Sequence, residues 1–153
     1  MRKGFFSVVT IALFLLNGCS EKPQERYENV TIKEQKSFSK KEQDLVKRFS
    51  AYWHYRLKNQ LDKSYQYELP YQRYLISVDD YKSQIDSYGE GTKVELASIS
   101  YISPNIVAVK RLIKTPKRKY TLKDKWVYVN GTWYHKFFQN ILPPKNKEEA
   151  EFQ

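Results

Sequence analysis

Apart from Cys19 the chain contains no thiol, so it can build no intramolecular disulfide, no cysteine-based metal site and no second thiolate nucleophile. Its two histidines, His54 and His135, lack zinc-ligand spacing, and its five glycines form no phosphate-cradling loop. No cofactor is expected. The longest apolar stretch, Phe5 to Leu16, is twelve residues, too short to cross a bilayer as a helix. Acidic side chains are also in short supply, with 17 Asp and Glu against 27 Lys and Arg and a net charge of +10. That balance favours anionic partners such as phospholipid headgroups, lipopolysaccharide, acidic wall polymers or nucleic acid, although it also serves plain solubility.

The N-terminus carries an address. Arg2 and Lys3 flank the Phe5 to Leu16 run, which ends in Leu16-Asn17-Gly18-Cys19. This ending resembles a bacterial lipoprotein signal, with the small residue Gly18 before a cysteine that is acylated and becomes the new N-terminus. The resemblance implies a signal peptide at 1–18, a palmitate-type acyl anchor on Cys19, and a cell-envelope protein held to the membrane by lipid. Ser20 after the cysteine resembles sorting to the outer rather than the inner membrane. Cleavage would remove two cations and no anion, leaving 25 Lys and Arg against 17 Asp and Glu, a net of +8. Residues 19–38, polar with Pro23, read as the lipidated cysteine and a flexible tether; 39–142 as one domain; and 143–153, after Pro143-Pro144, as a charged tail.

Ser39 and Glu42 have capping-box spacing, and Leu45, Phe49, Tyr52, Trp53 and Leu57 then recur at helical intervals. Asp62 to Tyr67 and Tyr71 to Leu75 read as short helical pieces interrupted by Pro70. Ser77 is placed to cap a further helix with Tyr81, Ile85 and Tyr88 on one side, stopped by Gly89. Eight of the thirteen tyrosines lie between positions 52 and 88, a wall that serves as core or as ligand contact.

From Lys93 the period becomes alternating, predicting strands over Lys93 to Ile102, Ile106 to Thr115, Tyr120 to Val129 and Thr132 to Phe138. Asn130-Gly131 is a type I′ hairpin signal, placing Tyr128 opposite Trp133, Trp126 opposite His135, and Asp124 opposite Phe137. Taking Lys117-Arg118 as the preceding turn pairs Val107 with Tyr128, Val109 with Trp126, Arg111 with Asp124 and Ile113 with Leu122. A turn at Pro104-Asn105 adds Val94, Leu96, Ser98, Ser100 and Ile102 to the same face, with Ser98 opposite Arg111. The expected fold class is α+β, with N-terminal helices packed on a curved, mainly antiparallel four-stranded sheet in a cone-shaped roll.

Phe49, Tyr52, Trp53, Leu57, Leu61, Asp62 and Tyr65, the helix from Ser77 to Tyr88, and the Trp126 to Trp133 hairpin resemble the nuclear transport factor 2-like, cystatin-like α+β roll. The resemblance implies a pocket enclosed by the sheet. It also allows many functions, since that family includes isomerases, dehydratases, secretion-machinery domains and non-catalytic binding modules.

The pocket candidates are Tyr52, Trp53, Ser98, Arg111, Asp124, Trp126 and His135. Arg111 beside Asp124 reads either as a buried structural ion pair or as the oxyanion and base elements of a small isomerase or hydro-lyase, with His135 diagonal to the aspartate. The arginine weakens the carboxylate as a base. On the opposite face Lys110, Lys125 and Lys136 are expected in one row, flanked by Lys114 and Lys123, as an anion-binding surface. These readings converge on a lipid-anchored, non-catalytic ligand-binding or assembly module, with the enzyme and a secretion-complex component as alternatives. Its expected partners are the membrane, an anionic lipid or envelope polymer, and a protein or second copy of the chain; nucleic acid is not expected.

Overall fold

A computed structural model describes residues 27–33 and 37–137. The signal peptide, Cys19, Phe138 and the 143–153 tail lie outside the described residues. The elements run β1 (Val30–Ile32), α1 (Lys40–Leu57), α2 (Leu61–Tyr65), α3 (Pro70–Leu75), α4 (Val78–Ser83), β2 (Lys93–Ser103), β3 (Ile106–Lys114), β4 (Lys119–Val129) and β5 (Thr132–His135). They form an α+β roll with one curled five-stranded mixed sheet, ordered β1-β2-β3-β4-β5.

The capping box at the start of α1 forms as expected. The Glu42 N–H donates to Ser39 Oγ at 3.3 Å, and the Ser39 N–H donates to Glu42 Oε2 at 2.9 Å. The helix ends where Asn59 takes a left-handed conformation (φ 54°), with N–H bonds from Asn59 to Arg56 and from Gln60 to Tyr55 carbonyls, a Schellman closure. Leu45, Phe49, Tyr52 and Trp53 fill the buried face of α1 and pack on Val94, Leu96, Val107, Val109, Ile113, Trp126 and Trp133 from the sheet. A fully buried side chain of this size stabilises the fold by roughly 2 kcal/mol, so this layer is the main source of stability.

The two short helical pieces are separate as expected, α2 ending at Tyr65 and Pro70 starting α3, where its missing N–H costs nothing. Ser77 caps α4, accepting from the Asp80 N–H at 3.1 Å. The helix stops at Ser83, earlier than the tyrosine spacing suggests. Tyr81 anchors it on α2 through Ser64 (2.9 Å), while Tyr88 reaches the Trp53 ring from the connection that follows.

Residues 30–32 fall within the segment expected to be a flexible tether, yet they form β1, with Val30, Thr31 and Ile32 paired in parallel with Val94, Glu95 and Leu96. The sheet therefore has five strands, not four. At Asn130-Gly131 both residues take positive φ (48° and 82°), and the β4–β5 pairings Tyr128–Trp133 and Trp126–His135 match the type I′ register. Strand β5 ends at His135, so Asp124 and Phe137 are not a ladder pair.

Two registers differ from expectation. The β3–β4 turn centres on Pro116-Lys117, with the Thr115 N–H bonded to the Arg118 carbonyl at 2.8 Å, because proline's fixed φ suits the first central position of a turn. Moving the centre by one residue moves each pair by two, giving Val107–Trp126, Val109–Asp124 and Arg111–Leu122. The shift is even, so every side chain keeps its face. In β2, by contrast, extra residues at Ala97 and Ile102 bulge the strand. Each bulge reverses the alternation, so Ser98 faces away from the helices, opposite Lys110 rather than Arg111.

Candidate functional site

The interior of the roll holds a charged group built from four elements. Arg111 on β3 and Asp124 on β4 are offset by two residues along the ladder, and the length of the arginine spans that offset. Its Nε donates to Asp124 Oδ1 at 2.7 Å. The second carboxylate oxygen accepts the Trp53 indole N–H from α1 at 3.0 Å. His135 on β5 places Nε2 at 3.9 Å from Asp124 Oδ1, and its Nδ1 lies 2.8 Å from Glu68 Oε2. Asp124 and Glu68 are 2% and 1% exposed, so both carboxylates depend on these partners in place of water.

Aromatic rings hold the group in place. Tyr52 stacks on the His135 ring with centroids 4.4 Å apart, Trp126 meets it edge-on at 5.4 Å, and the Arg111 guanidinium lies 4.2 Å from the centre of the Trp53 ring. The electrostatics follow from the geometry. Burial lowers the His135 pKa, but Glu68 and Asp124 together outweigh it and raise the imidazole to about 9. Burial raises that of Asp124, and His135 and Arg111 outweigh it, holding the carboxyl below its usual range. The group thus sets the guanidinium of Arg111 and the imidazole of His135 against the carboxyl groups of Asp124 and Glu68.

Among the pocket candidates, Tyr52, Trp53, Arg111, Asp124, Trp126 and His135 come together as read, and Ser98 does not. The space expected between them is filled: Trp53, Trp126 and Trp133 are 0–2% exposed. Two members of the cluster were missed. Glu68 arrives because residues 67–69 run alongside β5, with the His135 N–H donating to the Tyr67 carbonyl and the Leu69 N–H to the His135 carbonyl, each at 2.8 Å. The available signal was Pro70, which forces the preceding residue into an extended conformation. Arg56, one helical turn after Tyr52, donates to the Tyr52 hydroxyl at 3.3 Å and lies 5.7 Å from the Trp53 ring. His54 takes no part in the group; it stacks on Tyr27 at 4.3 Å.

The lysine row is divided. Lys125 and Lys136 remain neighbours, with the Lys136 N–H donating to the Lys125 carbonyl at 2.9 Å. Lys136 is only 2% exposed, however, and burial with Lys125 nearby pushes its ammonium down to about 8. It is therefore not part of an accessible anion surface. Lys110 faces Lys123 instead of Lys125 because of the two-residue register shift. The exposed positive charge moves toward the β3–β4 hairpin, where Lys93 faces Lys114, Lys114 faces Lys119, and Lys117 and Arg118 form the tip. Glu95 meets Lys114 at 2.6 Å. Among the described residues no group of three or more His, Cys, Asp and Glu is placed to hold a metal ion, and no helix is long and apolar enough to cross a membrane.

No protein-family model and no curated protein matches the chain. Similar solved structures include the solution structure of a SEC-C motif containing protein from Rhodopseudomonas palustris, 11% identical with a TM-score of 0.43, covering 60% of this chain and 73% of that one. Another is the 1.75 Å crystal structure of a SEC-C motif containing protein from Psychrobacter arcticus, 16% identical with a TM-score of 0.43, covering 69% of this chain and 64% of that one. The nuclear transport factor 2-like resemblance is not upheld: no family model or curated protein supports it, and the similar structures are described as SEC-C motif containing proteins. The helix order and aromatic spacing that suggested it are met by this α+β roll with a fifth, parallel strand and a filled interior.

Proposed function

We propose that the protein is a non-catalytic envelope module, held to a membrane through acylated Cys19, that lays the basic end of its sheet against an anionic surface. The observation that carries this reading is the set of directly opposed lysine pairs, Lys93–Lys114, Lys114–Lys119 and Lys110–Lys123, beside the cationic hairpin tip. Like charges in facing ladder positions repel, and an anionic surface turns that cost into attraction. The commitment of Asp124 to Arg111, Trp53 and His135 favours a binding role over an isomerase or lyase role, because a general base needs a free lone pair and a raised pKa.

The test uses protein isolated from membranes and its Cys19→Ala variant. Mass spectrometry is expected to find an acylated N-terminal Cys19 in the first. The unlipidated variant is expected to bind phosphatidylglycerol-rich vesicles in a salt-sensitive manner and to ignore zwitterionic ones. Each lysine near such a surface contributes about 1 kcal/mol, so changing Lys110, Lys114, Lys119 and Lys123 to glutamine is expected to weaken vesicle binding by more than a hundredfold. An unmodified Cys19, or vesicle binding indifferent to salt and to these substitutions, would remove the basis of the reading.

A further inference from the structure

One cleft takes no part in the buried charge group or the basic end of the sheet. It has a volume of about 170 Å3 and lies between α1, the N-terminal segment at Tyr27 and the chain at Tyr67 that borders β5. Lys47, Ala51 and Tyr55 contribute from α1 at intervals of four residues, which places them in a row on one helix face. Ala51 is the small residue at the middle of that row, and its methyl leaves the hollow that any longer side chain would occupy.

The walls are aromatic and the charges are positive. The Tyr55 and Tyr67 rings lie 5.9 Å apart, and Tyr27 is fixed by its stack on His54. Arg48 holds its guanidinium 4.6 Å from the Tyr67 ring and 5.0 Å from that of Tyr134, with Nε buried and without a hydrogen-bond partner among the described residues. Burial lowers the Arg48 pKa, and the neighbouring Arg73 acts in the same direction. Among the described residues neither Lys47 nor Arg48 has a carboxylate within ion-pair distance.

Two adjacent cations in a tyrosine-walled hollow match a dianionic or diester phosphate carrying an organic group. The planar guanidinium grips two oxygens at once, and the ring faces take the carbon skeleton. We propose that this cleft binds a phosphate group through Lys47 and Arg48, on either a phospholipid headgroup or a soluble phosphomonoester. An acylated Cys19 would keep the headgroup source near, because the eight residues to Tyr27 span at most about 28 Å. The inference does not depend on the basic end of the sheet.

Titration calorimetry of the full-length chain in non-ionic detergent, with inorganic phosphate, glycerol 3-phosphate and soluble short-chain phosphatidylglycerol as probes, tests it. At least one probe is expected to bind, and the paired change Lys47→Gln with Arg48→Gln is expected to weaken it tenfold or more. Ala51→Leu is expected to do the same by filling the hollow. Thermal melts accompany each variant, and the charge substitutions carry the test if Ala51→Leu unfolds. Tighter binding of the short-chain lipid assigns a headgroup ligand; tighter binding of glycerol 3-phosphate assigns a soluble phosphomonoester. Lys58→Gln, an exposed cation that belongs to neither proposed site, is expected to leave all titrations unchanged, which separates binding in the cleft from a response to overall positive charge. Wild-type protein that binds no probe at millimolar concentration, or binding that survives the Lys47 and Arg48 changes, overturns it.

Discussion

Replacing Asp124 with leucine is expected to lower the free energy of unfolding by about 3 to 5 kcal/mol, the cost typical of removing one partner from a buried ion pair. The substitution strands three groups at once. Arg111 loses its 2.7 Å carboxylate contact, the Trp53 indole N–H loses its acceptor, and His135 loses one of the two anions that keep it protonated. Arg111→Met alone is expected to be similarly costly, since it leaves Asp124 with only the indole and the more distant imidazole. The double variant should be less destabilised than the sum of the two, because removing both charges abolishes the uncompensated one. Urea melts of the three variants measure this coupling. Additive effects below about 1 kcal/mol each, the range of exposed pairs, would show that the two side chains do not work as a buried unit.

The second large effect is on pH dependence. His135 is raised from 6.5 to about 9 in the folded protein. Below pH 6.5 the imidazole is protonated in both folded and unfolded chains, and its stabilisation is fully present. Between pH 6.5 and 9 the unfolded chain gives up its proton while the folded one keeps it, so the stabilisation declines and is lost above pH 9. The decline is on the order of 3 kcal/mol. Lys136 acts in the opposite sense on the alkaline side. Its folded value of about 8 lies below the usual 10.5, so the penalty for burying its charge is present below pH 8 and relieved between pH 8 and 10.5. The window from pH 6.5 to 8 therefore isolates the histidine. Denaturant midpoints are expected to fall across that window in the wild type, to fall less in Glu68→Gln, and to stay level in His135→Gln. A His135 imidazole that titrates near 6.5 by NMR would refute the assignment.

Where a signal was local, the sequence was a good guide to the molecule. Ser39 and Glu42 place the start of α1, and Asn130-Gly131 sets the β4–β5 register, because each acts through neighbours only a few residues away. The β3–β4 register was misread by two positions because Pro116 takes the turn position assigned to Lys117. The shift kept Arg111 and Asp124 on one face, which is why the pair was legible even though its facing partners were not. The fate of Ser98 was not legible: neither Ala97 nor Ile102 is a residue type that announces a bulge. Strand β1 and Glu68 are joined to the site only through long-range pairing, β1 along β2 and Tyr67 to Leu69 along β5. A three-residue strand has no period to detect.

The two bulges of β2 also bear on how the molecule behaves when crowded. Beyond Ala97 no described strand pairs with the outer edge of β2, and Tyr101 and Ile102 near its end are 48% and 59% exposed. A long, flat edge of that composition would template a neighbour's strand. Ala97 and Ile102 break it into a regular run of four residues, Ser98 to Tyr101, bent at both ends. An incoming strand can match so short a ladder only briefly, so two inserted residues whose side chains form no part of either candidate site shorten the edge open to a neighbour.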